Sequence, residues 1–297
     1  MPPWRRPAWC RWRRRTPPEP MLAERRLAVC ADDFGLAPGI GEAVAELAQA
    51  GRLTATSCLV NGPLWPREAE RLQRLPAEVE RGLHFNLTEG TPLSPALRAV
   101  WTELPAVPRL LRDALLWRLP LPAIAQEWRA QWDAFVRATG RVPDFVDGHQ
   151  HVHHLPGVRD IVLAGVAGAP HPVAVRNTAH LPGPDSGVKR AVIALSGGRA
   201  LERTMRSHGV RHNSVLLGAY DFRRADYRAR VQAWLRAVPA QGGLLFCHPA
   251  RTGEPGDPIG AARVREAAYL RSDGFQDDLR AAGVSLGSTW QRTSSAG

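Results

Sequence analysis

Long apolar runs are missing from this sequence, and their absence excludes two classes. A bilayer-spanning helix needs about 18–20 apolar residues in succession. The nearest stretch, 99–120, is interrupted by Glu103, Arg109, Arg112, Asp113 and Arg118. A secretory signal needs a charged start followed by about 7–15 apolar residues; the start here is charged, but no such run follows it. Cysteine is also scarce. Cys10, Cys30, Cys58 and Cys247 show no CxxC spacing, and the last three lie in apolar runs. That pattern predicts buried, reduced thiols in a cytoplasmic protein rather than a disulfide framework. Lysine is nearly absent: Lys189 is the single one among 39 basic residues.

What is present is an ordinary globular composition, 44% hydrophobic and 23% charged over 297 residues, which excludes a largely disordered chain. The net charge of +11 raises the question of an anionic partner. Residues 1–20 hold six arginines against one glutamate, which leaves +6 for residues 21–297. This Arg/Trp/Pro-rich segment reads as an extension of the folded unit, and Met21 directly precedes the first patterned segment. The expected division is an extension over 1–24, one domain over 25–290 and a tail over 291–297. Nucleic acid then ceases to be the first-choice partner, and contact with an anionic membrane surface remains a weak alternative.

From Leu27 onward, short apolar runs alternate with helical patterns. LAVCA (27–31), LTATSCLV (53–60), GLHFNL (82–87), DFVDG (144–148), PVAVR (172–176), SVLLG (214–218), GGLLFCH (242–248) and VSLG (284–287) read as strands. Helices are predicted from Pro38 to Gly51, around 67–75, along Ile124–Phe135 with Gly140 as the stop, and at 158–166, 188–208, 225–237 and 261–282. Residues 88–120 read as a long proline-rich connection or lid. Some eight strands in alternation with helices, apolar on both faces, predict an α/β protein with parallel strands, a single distorted (β/α) TIM-like barrel. A doubly wound open sheet is the second choice.

Polar residues follow the apolar runs in series. Asp32 and Asp33 end the first, Asn61 the second, His84 and Asn86 the third, Asp147 and His149 the fourth, Arg176 the fifth and His248 the seventh. On a parallel barrel these ends converge on one rim, where active sites occur. In DGHQHVHH (147–154), His149, His151 and His153 would share one face if the strand continued. Histidines with carboxylates suit Zn²⁺ or another transition ion. Asp32 and Asp33 both face such a site only if the strand end is kinked. Trp101 and Trp117 are candidates for stacking on a sugar or for packing the loop. Cys247 reads as a packing residue, because its neighbour His248 faces the other way.

ADDFGLAPGIGEAV (31–44), GRLTATSCLVNG (51–62), GLHFNLTEGTPL (82–93), DFVDGHQHVHHLPGV (144–158) and LFCHPA (245–250) resemble, in order, the YdjC-like carbohydrate deacetylases. The resemblance implies a distorted (β/α) barrel and metal-dependent hydrolysis of the N-acetyl group of an amino sugar, chitooligosaccharide-like or hopanoid-linked. By the same resemblance, Asp33, His84 and His149 hold the metal, Asp32 is the base and His248 the acid. His151 and His153 are implied to be outer or substrate-side groups. Arg176, Asn61 and Asn86 are expected on the substrate side, with an ion-pair or turn-capping role as the alternative for each. The resemblance implies Mg²⁺, whereas an Asp-His-His set favours a transition metal. Other amidohydrolase or phosphoesterase barrels would place an HxH pair on the first strand, and here it follows the fourth. The non-enzyme alternative is an anionic-surface or nucleic-acid binder acting through the arginine-rich start, with a steep salt dependence.

Overall fold

The first strand forms as predicted and runs further, over Arg25–Phe34 (β1). The computed structural model describes residues 25–184, 187–223 and 225–290; the predicted extension, Cys10 and the predicted tail lie outside them. Along β1 the side chains alternate. Leu27, Val29 and Ala31 belong to the apolar layer beneath the helices, and Ala28 and Cys30 to a smaller cluster inside the curl of the sheet. That alternation is the period of two of an extended chain, with both faces buried.

Seven more strands follow: β2 (Ala55–Cys58), β3 (Glu80–Phe85), β4 (Phe145–Gly148), β5 (Ala174–Val175), β6 (Leu216–Leu217), β7 (Gly243–Cys247) and β8 (Val284–Leu286). All the pairings are parallel. The strand order is β5-β4-β3-β2-β1-β7-β6, with β8 beside the start of β1. Read as a cycle, this is sequential order broken between β5 and β6, so the sheet is a curled half-barrel rather than a doubly wound sheet. Side chains bridge the break. The Asn177 N–H donates to Asn213 Oδ1 at 2.7 Å, and Asn213 Nδ2 returns a bond to the Asn177 carbonyl at 3.0 Å.

The helices are α1 (Pro38–Gln49), α2 (Trp65–Gln73), α3 (Pro95–Arg98), α4 (Val107–Leu115), α5 (Leu121–Thr139), α6 (Val158–Ala167), α7 (Gly187–Ile193), α8 (Arg199–Ser207), α9 (Tyr227–Arg236), α10 (Gly260–Arg271) and α11 (Asp273–Ala282). Proline opens each of the first five, where its missing N–H costs nothing. The predicted 188–208 helix is broken by a π turn at Ala194–Gly198, with Gly197 at φ 159°.

The predicted lid over 88–120 is instead docked on the barrel. Two buried polar groups on the apolar face of α5 account for this. Glu127 accepts from the N–H groups of Leu93 and Ser94 at 2.9 and 2.7 Å. Gln131 accepts from the Asn86 N–H at 3.0 Å and donates to the Asn86 carbonyl at 2.8 Å. A loop whose backbone groups are satisfied this way can lie against a core. Trp101 packs inside at 7% exposure, whereas Trp117 stands 73% exposed.

Candidate metal centre

The C-terminal end of β1 makes the site possible. Pairing with β2 loses register between Ala31 and Phe34, and Asp33 takes a left-handed backbone, φ 66°. The alternation fails at that residue, so Asp32 and Asp33 both line one cavity of about 650 Å³. Gly35, also left-handed at φ 98°, completes the turn; a Cβ there would lie 2.6 Å from the Leu59 carbonyl oxygen. The ADDFG segment is therefore a buried kink, the condition under which both aspartates face the site.

Asp33, His84 and His149, all buried, offer ligand atoms lying within 4.8 Å of one another. Asp33 Oδ1 is 3.3 Å from His84 Nε2 and 3.0 Å from His149 Nδ1, and Asp33 Oδ2 accepts from Arg263 at 2.7 Å. His84 Nδ1 meets Asp147 Oδ1 at 2.6 Å, which follows from strand register, since His84 and Asp147 are paired across β3 and β4. His149 Nε2 lies 2.9 Å from Glu89 Oε2. Two imidazoles and a carboxylate, each braced by its own outer partner, fit a divalent transition ion.

Burial raises Asp33, but Arg263 and the two histidines outweigh it and hold the carboxyl well below its ordinary range. Burial lowers His84, and Asp147 with Asp33 overrides that and lifts it to about 10. His149 is likewise raised by Asp33 and Glu89 against burial. The cluster thus carries protons that a cation would displace.

Arg176 does not line the cavity. It is fully buried, donates to both oxygens of Asp32 at 2.7 Å and pairs with Asp147 Oδ2 at 2.5 Å. Its guanidinium fills the centre of the second acidic group, Cys30, Asp32 and Asp147. Of the two readings left open for Arg176, the ion pair is the observed one.

Asn61 and Asn86 do not line the cavity and cap a turn. Asn86 Oδ1 accepts from the N–H groups of Thr88 and Glu89, and the Glu89 carbonyl accepts from both asparagine amides. The three histidines do not share a face. β4 ends at Gly148, and left-handed Gln150 and His151 turn the chain into a 3₁₀ segment. His149 and His151 line the cavity. His153 is buried beneath it, donates to the Arg176 carbonyl at 2.9 Å and is pushed by burial to about 4.

His248 does line the cavity, its ring edge-on to Phe222 and Phe246 at 5.3 and 5.5 Å. Burial lowers its imidazole to about 4 despite the two aspartates. Cys247 is buried, its thiol pushed up by burial and donating to the Cys30 carbonyl, as a packing residue would be. Three outer residues had no assigned role in the sequence: Asp147, Glu89 and Arg263. Asp147 and Glu89 sit inside the motif blocks, one residue pair from His149 and five residues from His84, which is a usable signal. Arg263 comes from α10 and carries no strand-end signal.

An all-parallel half-barrel with a carboxylate–imidazole cluster at its C-terminal rim defines a class of barrel suited to holding a divalent ion. The chain belongs to the YdjC-like protein family, whose profile matches residues 26–281. It is 41% identical over 139 residues to a human protein named carbohydrate deacetylase, covering 45% of this chain and 42% of that one. It is 38% identical over 149 residues to a chitooligosaccharide deacetylase of Salmonella paratyphi B, covering 47% and 54%. The matched stretches thus span about half the length of these curated relatives. A crystal structure from Enterococcus faecalis V583, described as a candidate cellobiose-phosphate cleavage protein, superposes with TM-score 0.71 at 21% identity, over 90% of this chain and 98% of that one. That likeness supports the fold.

Proposed function

We propose that residues 25–290 form a divalent-metal-dependent hydrolase that removes the N-acetyl group from an N-acetylglucosamine-type sugar. The observation that carries the reading is the convergence of Asp33, His84 and His149 beside Asp32 in one rim cavity. The names of the human and Salmonella relatives supply the substrate class. The cavity, about 650 Å³, lies within the range of roughly 300–1,000 Å³ typical of small-molecule sites. A chitooligosaccharide end is the first substrate to test, ahead of a lipid-linked sugar.

Asp33, His84 and His149 would hold the ion, with Zn²⁺ or another transition metal ahead of Mg²⁺ on donor chemistry. When bound, such an ion lowers the pKa of a water and polarises a carbonyl. Asp32, held by the two-pronged Arg176 contact, keeps a lone pair for the water proton. The water oxygen bonds to the acetyl carbon, the C–N bond breaks, and the departing nitrogen takes a proton from His248. Burial keeps that imidazole neutral in the resting site near pH 7; negative charge developing on the substrate raises it, His248 takes up a proton from solvent, and this proton is the one passed to the nitrogen. Acetate and a free amino sugar result. Among the described residues no helix is long and apolar enough to cross a membrane. The compartment we propose is the cytoplasm, on the ground of buried free thiols at Cys30, Cys58 and Cys247.

The test is acetate release from N-acetylated chitooligosaccharides, with chelator, with restored metal, and in Asp32→Ala. Chelation should abolish release and metal should restore it. Asp32→Ala should lose roughly 10²–10⁴-fold in rate, the usual contribution of a general base. A metal-replete protein that frees no acetate from any N-acetyl sugar would sink the proposal.

A further inference from the structure

The three clustered residues differ in how they are braced. Behind His84, Asp147 is locked in the interior by Arg176 and Ser57. Behind His149 stands Glu89, whose side chain is 48% exposed and lines the cavity. An exposed carboxylate on an ordinary loop gains little from such a pairing, because ordering the side chain offsets the attraction. Glu89 is not on an ordinary loop. Its N–H donates to Asn86 Oδ1 at 3.1 Å, and its carbonyl accepts from Asn86 Nδ2 at 2.8 Å and Asn61 Nδ2 at 3.1 Å. The two asparagines are bonded to each other at 3.0 Å, and Asn86 is anchored to α5 through Gln131. Both sides of one residue's backbone are clamped, and its side chain reaches the far nitrogen of His149.

A neutral imidazole has one N–H and one lone pair, and a carboxylate only accepts. In this structure both nitrogens of His149 face carboxylate oxygens, Nε2 that of Glu89 at 2.9 Å and Nδ1 that of Asp33 at 3.0 Å; an ion held by Asp33 would displace the Nδ1 proton, and Glu89 would keep the remaining one on Nε2. His84 has the reverse orientation, with Nδ1 on Asp147 and Nε2 towards Asp33. We propose that Glu89, set by the Asn61–Asn86 clamp, is a positioning residue that fixes His149 as an Nδ1 ligand of the metal. This rests on the metal reading above and gives Asn61 and Asn86 their purpose.

Zn²⁺ binding to the full chain, measured by titration calorimetry, tests the proposal without any activity assay. Glu89→Ala should weaken binding by roughly 10–100-fold, the usual cost of losing an outer partner. Glu89→Gln, which keeps an acceptor oxygen for Nε2–H, should recover most of that loss. Nitrogen-15 imidazole spectra of the Zn²⁺-loaded protein should show His149 bound through Nδ1 and protonated at Nε2. Wild-type affinity in folded Glu89→Ala, or His149 bound through Nε2, would overturn the proposal. Failure of the wild-type chain to bind Zn²⁺ would instead overturn the metal reading itself.

Discussion

The two sides of the half-barrel are built differently. From β4 through β3, β2 and β1 to β7, neighbouring strands share ladders of three to five residue pairs, broken only by the kink before Phe34. At the other side, β5 and β6 are two residues each, and two asparagine side chains stand in for a ladder. Asp33, His84 and His149 all sit at ends of the laddered side. The seam side supplies Arg176 from behind β5 and cavity wall such as Ile193 and Phe222. A cluster whose atoms must converge within a few ångströms is set on the stiffest part of the sheet. The seam side contributes charge compensation and shape.

Substitutions separate these roles, and the largest effect is expected at their junction. Arg176→Met strips the partner from two buried carboxylates, Asp32 and Asp147, and should cost about 3–5 kcal/mol in chemical unfolding. A loss of under about 1 kcal/mol would show that the junction is not structural. Next is Glu266, which accepts from the Tyr220 hydroxyl and the His248 N–H and is raised by burial to about 7. A folded-state pKa above the unfolded one stabilises at low pH, and this is lost as pH rises through about 7. Unfolding free energy should therefore fall by roughly 3 kcal/mol between pH 4.5 and 7, and Glu266→Gln should flatten that slope. A slope unchanged in the variant would assign the pH dependence elsewhere. Smallest is Asn213→Ala at the seam, which leaves the buried Asn177 N–H unpaired and should cost about 1–3 kcal/mol. If it also weakened Zn²⁺ binding, the division between ladder and seam would fail.

The sequence shows the strands because alternation and apolar runs are local signals, and LAVCA, GLHFNL and GGLLFCH all form where expected. It also shows that Asp33, His84 and His149 would meet, because strand ends on a parallel barrel converge by topology; a ligand role for them comes from the family resemblance. Side-chain direction past a strand end was not legible. His151 and His153 diverge because two left-handed residues intervene, and no spacing rule reports torsions. For Arg176, Asn61 and Asn86 the sequence leaves two roles open for a related reason. Arg176 meets Asp32, 144 residues away, and Asn61 meets Asn86, 25 residues away, and the same donor groups serve a sugar or a carboxylate equally well. The docking of 88–120 depends on Glu127 and Gln131, buried polar residues on an otherwise apolar helical face, and residue type alone does not signal burial for such side chains.

The kink at Asp33 ties two properties of the chain into one. Had β1 stayed extended for one more residue, Asp33 would continue the row of Leu27, Val29 and Ala31 and place a carboxylate in the apolar layer under the helices. That arrangement is prohibitive without a partner. The pair of adjacent aspartates is therefore compatible with this barrel only if the strand bends at Asp33, ahead of its last pairing, Phe34 with Cys58. The residue that bends the strand is the same residue that meets His84 and His149. A variant that straightened this turn would part the three side chains and gain a buried charge in a single change, so the bend in β1 and the chemistry proposed for it stand or fall together.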